Sequence, residues 1–203
     1  MLKKLLFTFL AILIITHNAS ANNEIYQKHQ KQIKEIENYF NNTKSFSANF
    51  IQIVQNNLLS GKIYLQKPGK MRFEYEDPSP ILIVANGSIV TYFDKELEEI
   101  SHIPTKKTPV KFLALENLSF KDQDFQIIDF QNQDNSYKIT LKDPKNPQIN
   151  QFSLFFNQNP LILSRIEIEN DLNEKISISF FNHQFNVKFD KKLFSIKNPV
   201  LPK

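Results

Sequence analysis

The chain has 203 residues, with 25 Lys and Arg against 21 Asp and Glu, no Cys, no Trp and 19 Phe. A formal charge of +4 gives no case for nucleic-acid binding. The lack of cysteine excludes a disulfide scaffold, a thiol nucleophile and a zinc–thiolate site.

The N-terminus reads Met1-Leu2-Lys3-Lys4, then a mainly apolar run over residues 5–15, then Ala19-Ser20-Ala21. A basic start, a short apolar run and small residues at A-x-A spacing predict a secretory signal peptide cleaved after Ala21. The run is shorter than the roughly 20 residues a transmembrane helix needs. Cleavage leaves one domain, residues 22–203, of 182 residues (203 − 21) and net charge +2 (23 − 21), since only Lys3 and Lys4 are lost. The new first residue, Asn22, is not cysteine, so the bacterial lipoprotein route cannot attach a lipid there. An exported domain without disulfides has to stand on its core, and about 180 residues suffice to bury about 70% of the unfolded surface.

In residues 24–41, Ile25, Ile33, Ile36 and Phe40 recur at helical spacing between Lys and Glu, with no Pro or Gly. This predicts one amphipathic helix packing on a sheet. Its polar face is balanced in charge, unlike the basic face of a membrane-surface helix. Residues 45–55 read as a strand, with Phe46, Ala48, Phe50 and Val54 on one side. Ile51 and Ile53 make its middle apolar on both faces, which predicts a sheet covered on both sides there.

Residues 61–94 hold all three glycines. Met71, Phe73 and Tyr75 alternate with Arg72, Glu74 and Glu76, and Pro68-Gly69, Pro78 to Pro80 and Asn86-Gly87 punctuate the stretch. The prediction is three or four antiparallel strands in a meander, with Asn86 and Gly87 as the central pair of a type I′ turn. Residues 95–102 are acidic and short, an edge strand or its loop. Thr108-Pro109 then predicts a helix start, followed over residues 110–116 by a short helix apolar nearly all round. Too short to be stable alone, it has to pack, permanently or as a lid. Strands follow over residues 125–130, 137–142, 151–157, 161–169 and 175–183, with a small capped turn at Asp190, Leu193 and Phe194. Strands at this spacing predict an antiparallel sheet, closed or nearly closed.

No catalytic constellation is visible. His29, His102 and His183 stand far apart, without metal-site spacing, and there is no G-x-S-x-G or P-loop. Glu98-Glu99 and Lys106-Lys107 read as solvated surface. No metal and no cofactor are implied, and the chain does not read as an enzyme.

The ordered set of elements resembles the outer-membrane lipoprotein carrier protein family, LolA. The resemblance is carried by a signal without a lipid-acceptor cysteine, an amphipathic helix, the strand Ser45 to Gln52, and the stretch Gly61-Lys62-Ile63-Tyr64-Leu65-Gln66-Lys67-Pro68. Val84-Ala85-Asn86-Gly87 and the Thr108-Pro109-led apolar segment complete it. It implies an incomplete, strongly curved antiparallel β-barrel whose open side is covered by a short helical lid, over an apolar cavity for lipoprotein acyl chains. It also implies a periplasmic chaperone for lipoprotein transport, with no cofactor. The implied partners are lipoproteins, an inner-membrane lipoprotein-releasing ABC transporter and an outer-membrane receptor, but no nucleic acid. A carrier of one cargo can work as a monomer. Candidate cavity residues are Met71, Phe73 and Tyr75 on the sheet and Phe112 and Leu113 on the lid. The family commonly has Arg where this chain has Lys67, which implies a weaker latch on the lid, since Lys lacks the planar fork of guanidinium. Alternative readings are a carrier or sensor of another lipid or lipopeptide, a protein-interaction module, and an exported hydrolase. The last needs a polar cluster inside the cavity, which the alternation does not show.

Overall fold

The computed structural model describes residues 24–108, 111–121 and 124–196. The expected signal peptide lies outside the described residues, as do Pro109 and Val110. Period-two alternation dictates the architecture: the strands other than β6 each turn an apolar row inward, and these rows share a single concave core. The strands are β1 (Ser45–Val54), β2 (Asn57–Gln66), β3 (Lys70–Tyr75), β4 (Ile81–Asn86), β5 (Ile89–Asp94) and β6 (Glu99–Pro104). They continue as β7 (Gln126–Gln133), β8 (Ser136–Lys142), β9 (Ile149–Asn157), β10 (Ile162–Asn170) and β11 (Lys175–Phe185).

All pair antiparallel in one sheet of order β6-β5-β4-β3-β2-β1-β11-β10-β9-β8-β7. The chain meanders outward from β1 to one edge, crosses to the other edge at β7, and meanders back until β11 pairs with β1. Thus β6 and β7 are neighbours in sequence but opposite edges of the sheet. The barrel is incomplete, and the β6–β7 connection has to cross its mouth.

The concave side is filled by α1 (Gln30–Asn42), which buries Ile33, Ile36 and Phe40 among the inward residues of the sheet. The expected single helix is interrupted. Residues 24–28 are helical, but His29 leaves helical geometry at φ −119° and ψ 27°, its ring 4.7 Å from that of Phe130. The expected helix over residues 110–116 is instead a single 3-10 turn, Lys111–Ala114, as suits a segment held by its surroundings.

Two turns fix the central register. The β2–β3 loop is Lys67-Pro68-Gly69, with Gly69 at φ +72°, the left-handed position of a three-residue hairpin. At the β4–β5 hairpin, Asn86 belongs to the ladder, opposite Ile89. Gly87 (φ +72°) is therefore the first central residue and Ser88 the second, the pattern of a type II′ turn and one position later than the sequence suggests.

A smaller cluster lies on the convex face. Leu82 and Val84 of β4 pack there with Phe194 of the tail, alongside Tyr64, Phe93 and Phe189. The tail turn Lys191–Phe194 is capped by Asp190, whose carboxylate accepts from the Lys192 N–H at 2.9 Å. Arg72 holds it by donating to Leu193 O at 3.1 Å. This cover does not include Ile51 or Ile53. The two-sided burial expected at the middle of β1 is absent, and Ile53 is 49% exposed.

Candidate functional site: the concave core and its strap

The three β3 candidates fall where alternation puts them. Met71, Phe73 and Tyr75 are buried on the concave face, in one cluster with Phe112 and Leu113. Phe50 on β1 packs edge-on against Phe73 and Tyr75, with ring centroids 5.4 and 5.0 Å away. Its ring lies over Gly61, where an added Cβ would stand 2.8 Å from Phe50 Cζ and 2.2 Å from Glu74 O. Tyr75 carries the one polar tip in this row, and its hydroxyl donates to Gln52 Oε1 at 2.8 Å. Burial, then the neighbouring Tyr92, pushes its pKa up to about 12.

Phe112 closes the core from the open side. Its ring stacks on Phe152 at 5.3 Å and 14°, and meets Phe40 of α1 edge-on at 5.7 Å. Phe112, Leu113 and Ala114 are all buried, although the regular structure of the described connection is two short 3-10 turns, Thr105–Lys107 and Lys111–Ala114. Residues 105–108 and 111–121 form a strap across the mouth, fastened by side chains and single backbone bonds. Gly69 N–H donates to Ala114 O at 2.9 Å. Asn41 of α1 grips Leu118 twice: Asn41 Nδ2 donates to Leu118 O at 3.0 Å, and Leu118 N–H donates to Asn41 Oδ1 at 2.7 Å. Phe120 N–H donates to Glu37 Oε1 at 2.7 Å. The lid is thus α1 and the strap, bonded to one another over the sheet.

Lys67 reaches α1 rather than the strap. Its Nζ donates to Phe40 O at 2.6 Å and stands 5.7 Å over the Phe40 ring. Burial, then the charge of Lys44, lowers its pKa to about 8.

Sequence reasoning missed the polar cluster at the other end of the strap. Asp143, 3% exposed, pairs with Lys111 Nζ at 2.5 Å. Asn146 bonds the same carboxylate and also donates to Lys106 O at 2.9 Å. Asp-Pro-Lys-Asn-Pro reads as an exposed turn, so nothing local betrays Asp143. The available signal was Lys111, a lone charge in an apolar run that has to find a partner. Lys106 and Lys107 themselves are exposed, as expected.

Beside the strap a cleft of about 760 Å³ separates the two sheet edges, bounded by Gly69, Ile89, Pro104, Ala114, Leu115 and Phe125. A second cleft, of about 740 Å³, runs between α1 and the start of β10, against Tyr39, Leu161 and Phe185. Among the described residues no group of three or more His, Asp or Glu could hold a metal ion, and no helix is long and apolar enough to cross a membrane.

A curved open sheet is thus closed over an apolar core by α1 and the strap. Residues 41–197 match the model of the outer membrane lipoprotein carrier protein LolA, and the chain belongs to that family. It is 29% identical over 202 residues to an uncharacterised protein of Rickettsia prowazekii, covering 98% of this chain and 90% of that one. It is 26% identical over 204 residues to an outer-membrane lipoprotein carrier protein of Legionella pneumophila, covering 94% of each. In fold it is similar to a LolA superfamily protein of Nitrosomonas europaea (TM-score 0.50, 12% identity, 82% of this chain and 97% of that one). It is also similar to an uncharacterised conserved protein of Thermus thermophilus (TM-score 0.55, 9% identity, 85% and 96%).

Proposed function

We propose that the protein is a periplasmic chaperone that holds the acyl chains of lipoproteins against its concave sheet. In this reading it receives them from an inner-membrane ABC transporter and gives them up to an outer-membrane receptor, as a monomer and without cofactor. The observation that carries the reading is Phe112, a fully buried ring stacked on Phe152 yet borne by a connection whose described regular structure is two short 3-10 turns. Such a ring can occupy the acyl site when cargo is absent and leave when it arrives.

The energetics support this arrangement. An acyl chain of about fifteen methylenes gains about 0.8 kcal/mol per buried CH₂, on the order of 10 kcal/mol. A rigid open cavity of that affinity would not release its cargo. A cavity that refills itself with Phe112 and Leu113 returns part of that energy, so net affinity falls to a transferable level. Met71 suits the wall of such a site, because its unbranched thioether adapts to chains of differing shape. Lys67 then acts on the lid by holding the C-terminal end of α1.

Native mass spectrometry of the protein isolated from a periplasm tests the proposal. A one-to-one complex with a triacylated lipoprotein is expected. Protein carrying only phospholipid, or nothing under conditions where lipoproteins are being exported, would sink it.

A further inference from the structure

The strap's two ends are fastened differently. Toward β3 it is held by backbone and amide bonds, from Gly69 to Ala114 O and from Asn41 to Leu118. Its start is also bonded neutrally, Thr105 N–H to Ser88 O at 2.8 Å and the Thr105 hydroxyl to Gly87 O at 2.9 Å, but toward β9 the strap adds a charge pair, Lys111 to Asp143. The carboxylate is buried, and its further partners are the Asn146 amide and the Lys145 N–H. Asn146 is itself nearly inaccessible and extends the cluster to Lys106 O, at the opposite edge of the sheet. This cluster ties the chain just past the β6 edge to the β8–β9 loop, one strand in from the β7 edge. Lys111 directly precedes Phe112, the ring that occupies the core, and its Nζ stands 5.1 Å over the ring of Phe125. The cleft of about 760 Å³ lies against this point, with Leu115 and Phe125 common to the cleft and to the core, and with Lys106, Lys111, Asp124 and Lys145 also on its wall.

We propose that the Lys111–Asp143 pair is the latch of the strap, and that the adjoining cleft is the portal through which an acyl chain enters as the latch opens. This rests on the acyl-carrier reading above. A buried ion pair suits the role. Intact, it satisfies both charges in place. Broken, it leaves an ionised carboxylate that has to be rehydrated, so opening is a discrete step rather than gradual loosening. Withdrawing residues 111–115 toward solvent carries Lys111 into water and removes Phe112 and Leu113 from the core. The space they vacate then joins the cleft.

Amide hydrogen exchange of residues 112–118 tests the latch, and the uptake rate of a fluorescent long-chain fatty acid tests the portal, both on the mature chain. Lys111→Met keeps the stem over Phe125 and removes the charge. Asp143→Asn keeps an acceptor for the Lys145 N–H. Each is expected to raise exchange in the strap, and the uptake rate, by about tenfold. The double variant, with no charge left unpaired, is expected to exchange no faster than the faster single variant. A variant in the convex cluster, Val84→Ala, lowers overall stability without touching the strap and should leave both readouts unchanged. Exchange within about twofold of wild type in both single variants, or an equal rise in Val84→Ala, overturns the latch. Faster exchange without faster uptake keeps the latch and overturns the portal. If wild type takes up the acyl probe and latch variants neither exchange nor load faster, the carrier reading stands and the latch is wrong. If the variants open but no acyl ligand binds any of them, the carrier reading fails while the latch stands.

Discussion

Lys67 Nζ donates to Phe40 O at 2.6 Å, tying the β2–β3 turn to the last turn of α1, where carbonyls lack partners within the helix. A cation is well placed at a helix C-terminus, yet burial and Lys44 lower its pKa to about 8. Because the folded-state value is depressed for a base, the folded protein binds fewer protons than the unfolded chain between about pH 8 and the ordinary lysine value of 10.5. The cost of burying the charge is fully present below that pH and is relieved as pH rises.

Wild type is therefore expected to gain stability relative to Lys67→Met between about pH 8 and about pH 9.5, below the range where unfolded-state tyrosines titrate. Tyr26, Tyr39 and Tyr75, each raised to about 12, oppose the trend only at higher pH. Urea unfolding of both proteins across this range checks it. Parallel stability curves would show that Lys67 titrates near its free value.

Gly61 is a packing requirement rather than a turn residue. An alanine Cβ would meet Glu74 O at 2.2 Å and Phe50 Cζ at 2.8 Å, and the carbonyl belongs to the neighbouring strand. Gly61→Ala is expected to cost about 3 kcal/mol, lowering the urea midpoint with an unchanged slope. A loss below about 0.5 kcal/mol would mean that β2 and β3 separate there without penalty.

These particulars show what could be read from the chain. The concave rows were legible because alternation in Met71, Phe73, Tyr75 and in Phe152, Leu154, Phe156 maps directly onto one face of a pleated sheet. The edge position of β6 was foreshadowed by the short acidic stretch 95–102, although most of its acids lie in the turn before the strand. Asn86-Gly87 marked a hairpin, but its register was set by the ladder, which places Asn86 opposite Ile89. The helix interruption at His29 has no sequence cue, since neither Gly nor Pro is present there. The strap was the least legible part, because partners distant in sequence decide its shape. Asp143 for Lys111, Asn41 for Leu118 and Phe152 for Phe112 lie 32, 77 and 40 residues away.

Phe112→Ala empties the place of the ring stacked on Phe152. Full burial of Phe would set the loss near 3 kcal/mol or more, but the strap makes few regular bonds and can relax, so about 2 kcal/mol is expected. The same substitution removes the group an acyl chain has to displace. Fatty-acid affinity is expected to rise about tenfold, which corresponds to 1.4 kcal/mol of the lost self-occupancy. Calorimetric titration of wild type and variant checks this. Weaker binding in the variant would mean that Phe112 lines the loaded site rather than filling the empty one.

Asn41 and Leu118 separate the role of α1 from that of the latch. The Asn41 amide satisfies both backbone groups of Leu118, a residue buried with almost no access to water. In Asn41→Ala both groups lose their partner, at a cost of about 2 kcal/mol unless the strap lifts to let water in. Asn41→Asp keeps the acceptor for the Leu118 N–H and loses only the donor to Leu118 O, so about half that cost is expected at neutral pH. Faster exchange at Leu118 in the order wild type, Asp, Ala is the expected result. Because Glu37 still accepts from the Phe120 N–H, the effect should fade within two residues. Equal exchange in all three proteins would show that the strap is anchored by its buried side chains alone. A rise spreading to residues 112–115 would instead mean that the strap lifts as one body, with Asn41 and Asp143 as two fastenings of a single opening step.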